Sequence, residues 1–389
     1  METKKKGILF FHAGAELYGA DKILHVLAKG LVERQWTVLV VLPWDGELRK
    51  PLEAAGAKVI VLNHGVLRRK YFTPCGLLSR LYKIVLAGKT MARISREYHI
   101  ALVHTNTSVV MAGALTAKLA NLPHVWHIHE IVTHPKVVWK ALSWFIPRLA
   151  NRVVCVSNAV LSHLVLGDKA NAAKGVVIYN GIAPLVAVAG TREQFRSELA
   201  ASPDDVVVGM VGRVNIWKGQ MALVEAAEIL IDRFPKVKFV FVGGTFADEE
   251  YLMEALRERV STGVLSTKAV VLEFRKDIAA IMSALDIFVL PSTQPDPLPT
   301  VVLEAMSAGC PVVAFAHGGV CEMVLHDVTG LLVPPCNVNA MASAIEELAL
   351  DPDKRHRFGM AGKYRFSHLF SVQNFLDEFE YVYEKAISR

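Results

Sequence analysis

Apolar residues fall along this chain in short unbroken runs, separated by longer stretches where they recur every three or four positions. In the first half the runs predict strands at Gly7–His12, Trp36–Leu42, Lys58–Leu62, Ile100–His104, His124–His129, Arg152–Val156 and Gly175–Tyr179. In the second half they predict strands at Val206–Val211, Lys238–Val242, Ala269–Phe274, Ile287–Leu290, Pro311–Phe315 and Leu331–Val333. Unbroken rather than alternating runs belong to strands buried on both faces, as in parallel sheets covered by helices. Strand and helix alternating through both halves therefore predict an α/β chain with two Rossmann-like parallel-sheet domains.

Asn180 and Gly181 form a turn signal, and Pro184 to Thr191 reads as a linker. The expected division is a first domain over 1–183, a second over 184–366 and a C-terminal segment over 367–389. Within that segment Ser371 to Ala386, with Phe375, Phe379, Tyr381 and Tyr383, reads either as a cap on the second domain or as a helix crossing back to the first.

Composition fits a folded chain with two cores: 389 residues, 52% apolar and 21% charged. No apolar run approaches the roughly 20 residues that a membrane-spanning helix needs. The run after the N-terminal lysines stops at His12, so a strand rather than a signal peptide is expected. Five cysteines without a Cys-x-x-Cys pair predict reduced thiols and a cytoplasmic protein, with Cys155, Cys310 and Cys321 as packing residues.

Charge changes the picture more. Residues 1–180 hold 24 Lys and Arg against 10 Asp and Glu, a balance of +14; the remainder holds 19 against 27, a balance of −8. A basic first half attracts anionic lipid, nucleic acid or phosphorylated substrates.

The chemistry concentrates between Pro291 and Gly319. The strand Ile287–Leu290 breaks into a loop with four prolines, and a helix begins near Pro299 and Thr300. Its unpaired N–H groups around Leu298, Pro299, Thr300 and Val301 make a seat for phosphate. Asp296 in the loop and Glu304 on the helix, eight positions apart, suit hydrogen bonding to the hydroxyls of a ribose or hexose. Arg213 at a strand end and Lys218 near a helix start are two cations able to hold a diphosphate. Gly14 and Gly19 in GAELYGAD allow a ligand close to the backbone, without the Gly-x-Gly-x-x-Gly spacing of a dinucleotide site. Gly88-Lys89-Thr90 mimics the end of a phosphate-binding loop, but Lys83 stands where glycine is required. His124, His127 and His129 do not predict a metal site, because His124 points to the opposite strand face from the other two.

These motifs resemble the signature of family-4 retaining glycosyltransferases of the GT-B fold, where two acids eight apart frame the sugar-nucleotide site. The family usually carries Glu at both places, and this chain has Asp296 at the first. The resemblance implies two domains facing a central cleft, a nucleotide diphosphate sugar as donor substrate, no cofactor and no metal. It implies that Arg213 and Lys218 hold the diphosphate and that Glu304 holds the ribose. Arg275 would lie beside the base, and Asp296 and His129 would contact the transferred sugar. Gly14 and Gly19 would face donor and acceptor. The implied activity moves a hexose to a lipid-linked or oligosaccharide acceptor in surface polysaccharide synthesis, such as O-antigen, capsule or exopolysaccharide. The alternatives are a sugar-nucleotide epimerase or phosphorylase of the same architecture, or a basic nucleic-acid-binding protein; nothing in the first half resembles a helix-turn-helix or an aromatic stacking surface.

The stretch from Lys136 to Arg152 mixes Lys136, Lys140, Arg148 and Arg152 with Trp139, Trp144 and Phe145, and contains no acid. On a helix, Trp139, Leu142, Phe145 and Ile146 would share one face, which either lies in a membrane interface or packs on the domain core. Arg68, Arg69 and Lys70 add to the same basic half. The expected location is the cytoplasm, peripheral at the inner face of the plasma membrane, against an anionic surface and without nucleic acid.

Overall fold

The computed structural model describes residues 6–165, 169–231, 233–246 and 248–388. It divides into two compact units, one running up to Gly181 and resuming at Val372, the other Ile182–Ser371. The expected divisions lay two residues later at the first crossing and five earlier at the second.

The first unit carries a seven-stranded parallel sheet. Its strands are β1 (Gly7–Phe11), β2 (Thr37–Leu42), β3 (Lys58–Val61), β4 (Ile100–Asn106), β5 (His124–Ile128), β6 (Arg152–Cys155) and β7 (Gly175–Val177). Their spatial order is β3-β2-β1-β4-β5-β6-β7, so the winding reverses between β1 and β4. The second unit carries β8 (Val206–Val211), β9 (Val237–Val242), β10 (Ala269–Leu272), β11 (Ile287–Leu290), β12 (Val312–Phe315) and β13 (Gly330–Val333). Here the order is β10-β9-β8-β11-β12-β13, and the reversal lies between β8 and β11. In doubly wound sheets ligands bind beyond the carboxyl ends of the strands at such a reversal.

All thirteen expected strands form, with ends shifted by a few residues. β1, β2 and β4 are almost wholly buried, and Leu9, Phe11, Val41 and Val103 meet in one core. Val208, Met210, Phe239 and Val289 do the same in the second unit. Gly88, Lys89 and Thr90 lie inside the helix Pro74–Glu97, where Gly88 gives room to Leu115, and form no phosphate loop. Cys155 and Cys310 are buried as expected, but Cys321 is exposed because the short helix Val320–Met323 turns it outward.

The helix Val372–Ile387 packs on the first unit. It buries Phe375, Phe379 and Tyr383 completely or nearly so. The Phe379 ring lies 5.0 Å from His127 and 5.7 Å from His104, and the Tyr383 hydroxyl lies 2.8 Å from His104 Nδ1. Burying each such ring contributes about 1.5–3 kcal/mol. At the rim, Arg34 bonds Glu380 at 2.8 Å and Asp377 at 2.6 Å, and Trp36 Nε1 donates to Glu380 at 3.0 Å. Gly30, in the helix Gly19–Glu33, lets that helix touch Val372–Ile387: a Cβ there would stand 2.3 Å from Leu376.

Candidate active site

In the second unit the polar groups gather over the β8/β11 reversal. After β8 the chain turns through Gly212–Gly219, where Asn215 Oδ1 accepts from Lys218 N at 2.8 Å and Trp217 N at 3.2 Å. That turn fixes the backbone of Lys218 two residues before the helix Gln220–Ile231. Lys218 Nζ then reaches both Asp296 oxygens, at 2.8 and 3.0 Å, and lies 4.3 Å from the Trp217 ring centre. Ser292 Oγ donates to Asp296 Oδ2 at 2.6 Å. A carboxylate offers about four acceptor sites, so most of those on Asp296 are already used. The expectation that assigned Lys218 to phosphate and Asp296 to sugar, as separate groups, missed this pairing.

The loops above the reversal are packed to backbone contact. Gly219 adopts φ +82°, and a Cβ on it would meet Pro291 O at 1.8 Å. Gly318 adopts φ +68°, and a Cβ would meet Asp296 O at 2.4 Å; Gly319 N donates to that same oxygen at 2.8 Å. The β12 turn thus holds the Asp296 backbone from behind. The helix Thr300–Ala308 follows, with Pro299 at its N-cap and no side-chain cap. Thr300 and Val301 are half-buried there, while Leu298 and Pro299 are buried. Pro299 has no N–H, so it shapes the helix start without donating. Glu304 stands half-buried one turn in. Arg213 is half-buried, with its guanidinium 3.5 Å from the Phe246 ring centre.

Arg275 does not join this group. It forms ion pairs with Glu198 and with Asp277, at 2.6 Å for the latter, and lies 5.1 Å from the Phe195 ring. It ties the helix Thr191–Glu198 to the loop after β10.

In the first unit a second polar group sits at the β1/β4 reversal. His12 Nε2 lies 2.5 Å from Asp21 Oδ1, and Asp21 Oδ2 accepts from Tyr18 N at 2.9 Å. Asn106 Nδ2 lies 2.9 Å from His12 Nδ1, and Asn106 Oδ1 lies 2.7 Å from His129 Nε2. One assignment satisfies the chain: His129 Nε2 donates to Asn106, Asn106 donates to His12, and His12 Nε2 donates to Asp21. His129 Nδ1 is then an acceptor, and it has no partner among the described residues. Burial, with the nearby His12 adding to it, pushes the His129 pKa down to about 3, so its ring is neutral at physiological pH. Glu130 accepts from Ser108 N at 3.1 Å and His129 N at 3.3 Å, and burial raises its pKa.

His127 lies beside His129, their ring centres 3.9 Å apart and tilted at 48°, whereas His124 bonds Thr105 and the Leu149 carbonyl, as the strand alternation predicts. Gly14 and Gly19 bound the loop after β1. A Cβ on Gly14 would meet Glu16 Oε2 at 2.7 Å, while Gly19 opens the helix Gly19–Glu33 with free space around it. Sequence reasoning passed over His12, Asp21 and Asn106. The signal was present as a histidine closing an apolar strand and an acid in the next helical turn.

On the helix Lys136–Leu149, Leu142 and Ile146 face the core. Trp139 is half-buried, its Nε1 donating to the His163 carbonyl at 3.1 Å. Phe145 is exposed with Trp144, their rings 4.7 Å apart, so the face expected for Trp139, Leu142, Phe145 and Ile146 is divided between core and surface; Lys140 is exposed too. Arg68, Arg69 and Lys70 are exposed before the helix Pro74–Glu97. No helix among the described residues is long and apolar enough to cross a membrane.

Two family models match the chain. Glycosyltransferase Family 4 covers residues 18–184, and Glycosyl transferases group 1 covers residues 191–365. Alpha-maltose-1-phosphate synthase of Mycolicibacterium smegmatis is 31% identical over 315 residues, 73% of this chain and 79% of that protein. The Escherichia coli UDP-Gal:alpha-D-GlcNAc-diphosphoundecaprenol alpha-1,3-galactosyltransferase is 28% identical over 73% of this chain and 75% of its own length. Among solved structures, Anabaena HepE in complex with UDP superposes with a TM-score of 0.84 at 26% identity, covering 97% of this chain and 100% of that one. HepE with UDP-glucose gives a TM-score of 0.82, with 97% and 99% covered. With two Rossmann-like parallel sheets and polar groups gathered at both reversals, the chain belongs to the family-4 glycosyltransferases of the GT-B fold.

Proposed function

We propose that the protein is a retaining, metal-independent hexosyltransferase. Its donor is a nucleotide diphosphate sugar and its acceptor a lipid-linked or oligosaccharide glycan, in surface polysaccharide synthesis on the cytoplasmic side of the plasma membrane. The observation that carries this reading is the Lys218 ammonium, held in two contacts by Asp296 at the β8/β11 reversal beside the start of the helix Thr300–Ala308. A fixed cation and helix N–H groups meet the charge that grows on a departing diphosphate, a contribution typically worth a factor of about 10²–10³ in rate. Arg213 adds a second cation and Glu304 takes ribose hydroxyls. Asp296 acts on the donor chiefly by setting the position of Lys218. In the retaining reaction the incoming hydroxyl enters on the face the diphosphate leaves, and a leaving-phosphate oxygen takes its proton.

The nucleotide sugars named for HepE and for the galactosyltransferase support the donor class, and the latter's diphosphoundecaprenol substrate supports a lipid-linked acceptor. A thermal-shift panel of uridine, guanosine, thymidine and adenosine diphosphate sugars tests the donor. The right one, at a hundred times its dissociation constant, should stabilise by about 2.7 kcal/mol. Stabilisation by none of them would remove the reading. Nucleotide release that needs no acceptor would point to an epimerase instead.

Membrane contact is supported by two exposed apolar faces that carry cations. One is on the helix Pro74–Glu97, with Leu78, Leu81 and Tyr82 beside Lys89 and Arg93; the other has Trp144 and Phe145 beside Lys140 and Arg148. The protein is expected to sediment with anionic vesicles at low salt and to be released as salt rises. Equal sedimentation with neutral and anionic vesicles would count against this docking.

A further inference from the structure

Beyond the carboxyl ends of β1, β2 and β3 the first unit holds a pocket of about 230 Å³ that the reading above leaves unused. Its wall comes from Glu16 after β1, Pro43 and Trp44 after β2, Asn63 and Val66 after β3, Arg68, Lys70 and Tyr71 before the helix Pro74–Glu97, and Arg80 within that helix. Whole small-molecule sites run to about 300–1,000 Å³, so this one receives a single group of a larger ligand.

Its chemistry is that of an anion site. Arg80 is 7% exposed and lies 4.0 Å from the Tyr71 ring centre. Its only hydrogen bond among the described residues is a long one, 3.4 Å, to Ser79 Oγ, and its buried Nε has no partner. A buried guanidinium with empty donors is costly unless an anion fills them. Arg68 lies 4.5 Å from the Trp44 ring and Lys70 lies 5.3 Å from the Tyr71 ring, so aromatic faces steady all three cations. None of the three pairs with a carboxylate among the described residues. Glu16 is the one acid in the wall, and its Oε2 is turned to Ala15 N at 3.0 Å. Three cations against one acid leave a balance of +2, which matches a phosphate group of about −1.5 to −2.

We propose that this pocket binds a phosphoryl group of the acceptor, so that the acceptor substrate is a sugar phosphate or a sugar diphosphate. This rests on the glycosyltransferase reading and adds the class of the second substrate. The pocket shares Glu16 with the loop after β1, and the His64 ring bonds the His12 carbonyl at 2.9 Å, tying the wall after β3 to the same strand end. A phosphoryl group seated there puts the attached sugar beside the β1/β4 reversal, where His129 stands.

The test is calorimetric titration of the full chain with inorganic pyrophosphate while UDP, or the nucleotide found by the panel, saturates the donor site. Pyrophosphate is expected to bind the wild type. It should bind Arg80→Gln and the exposed double variant Arg68→Gln/Lys70→Gln at least about tenfold more weakly, while nucleotide affinity stays unchanged. The double variant guards against a folding defect in the buried one. Two competitors then name the source: a soluble hexose 1-phosphate, and a short-chain polyprenyl diphosphate sugar in micelles. Displacement by either supports the proposal and identifies the acceptor class. Displacement by neither, or unchanged pyrophosphate affinity in both variants, overturns it. Failure of every nucleotide to bind would sink the donor reading while leaving the pocket result standing.

Discussion

Acidifying the protein from about pH 7.5 to about pH 5.5 is expected to cost the first unit about 4 kcal/mol of stability. The cause is a set of histidines folded into that unit as neutral rings. Burial lowers His64 and His124 to about 4 and His129 to about 3, and puts His104 and His127 well below the ordinary value of 6.5. A histidine with a lowered folded pKa binds its proton more readily when unfolded. Its contribution is therefore complete above the unfolded value of about 6.5 and is lost as pH falls from there towards the folded value. At about pH 5.5 each such ring has lost a little over about 1 kcal/mol, so the three with values near 3–4 lose about 4 together, and His104 and His127 add in the same direction. Glu130, raised by burial, works the other way and offsets part of this. Urea titrations followed by tryptophan fluorescence check the result, since five of the six tryptophans, among them the wholly buried Trp126, lie in the first unit. A midpoint that does not move between the two pH values would mean that the rings are solvated or already charged.

Lys218→Ala should abolish nucleotide diphosphate binding and also weaken the second unit. The substitution leaves Asp296, with a side chain only 5% exposed, facing Ser292 and no cation. Breaking a buried pair from one side costs about 3–5 kcal/mol. For a unit of this size that corresponds to a fall of roughly 6–20 °C in melting temperature. Lys218→Ala/Asp296→Asn removes both charges and should recover much of the stability while leaving donor binding lost. That split separates the cation's two tasks. A single variant that melts normally and still binds nucleotide would remove Lys218 from the site.

The strands were legible because a parallel strand buried on both faces has no polar alternation, and runs such as Val206–Val211 cannot be confused with an amphipathic helix. The helix start at Thr300 and the cations at 213 and 218 were legible for a similarly local reason, since prolines, glycines and strand ends mark them. What escaped is what the winding of the sheet decides. Lys218 and Asp296 are 78 positions apart and meet only because β8 and β11 are neighbours. Asn106 joins His12 to His129 only because β4 lies between β1 and β5. Arg275 looked available in the sequence, yet Glu198 reaches it from a helix far upstream. Spacing put Phe145 on one face with Leu142 and Ile146 without deciding between core and membrane; the core takes Leu142 and Ile146 and leaves Phe145 exposed.

The chain leaves the first unit at Gly181 and returns at Val372. During synthesis the second unit, one continuous segment, can therefore close before the first has received its aromatic helix. At roughly 5–20 residues per second the intervening stretch takes on the order of 10–40 s to make. For that interval the faces of His104 and His127 that Phe379 and Tyr383 will cover stand open on the nascent protein. Whatever shields unfinished chains in the cell has its natural target there.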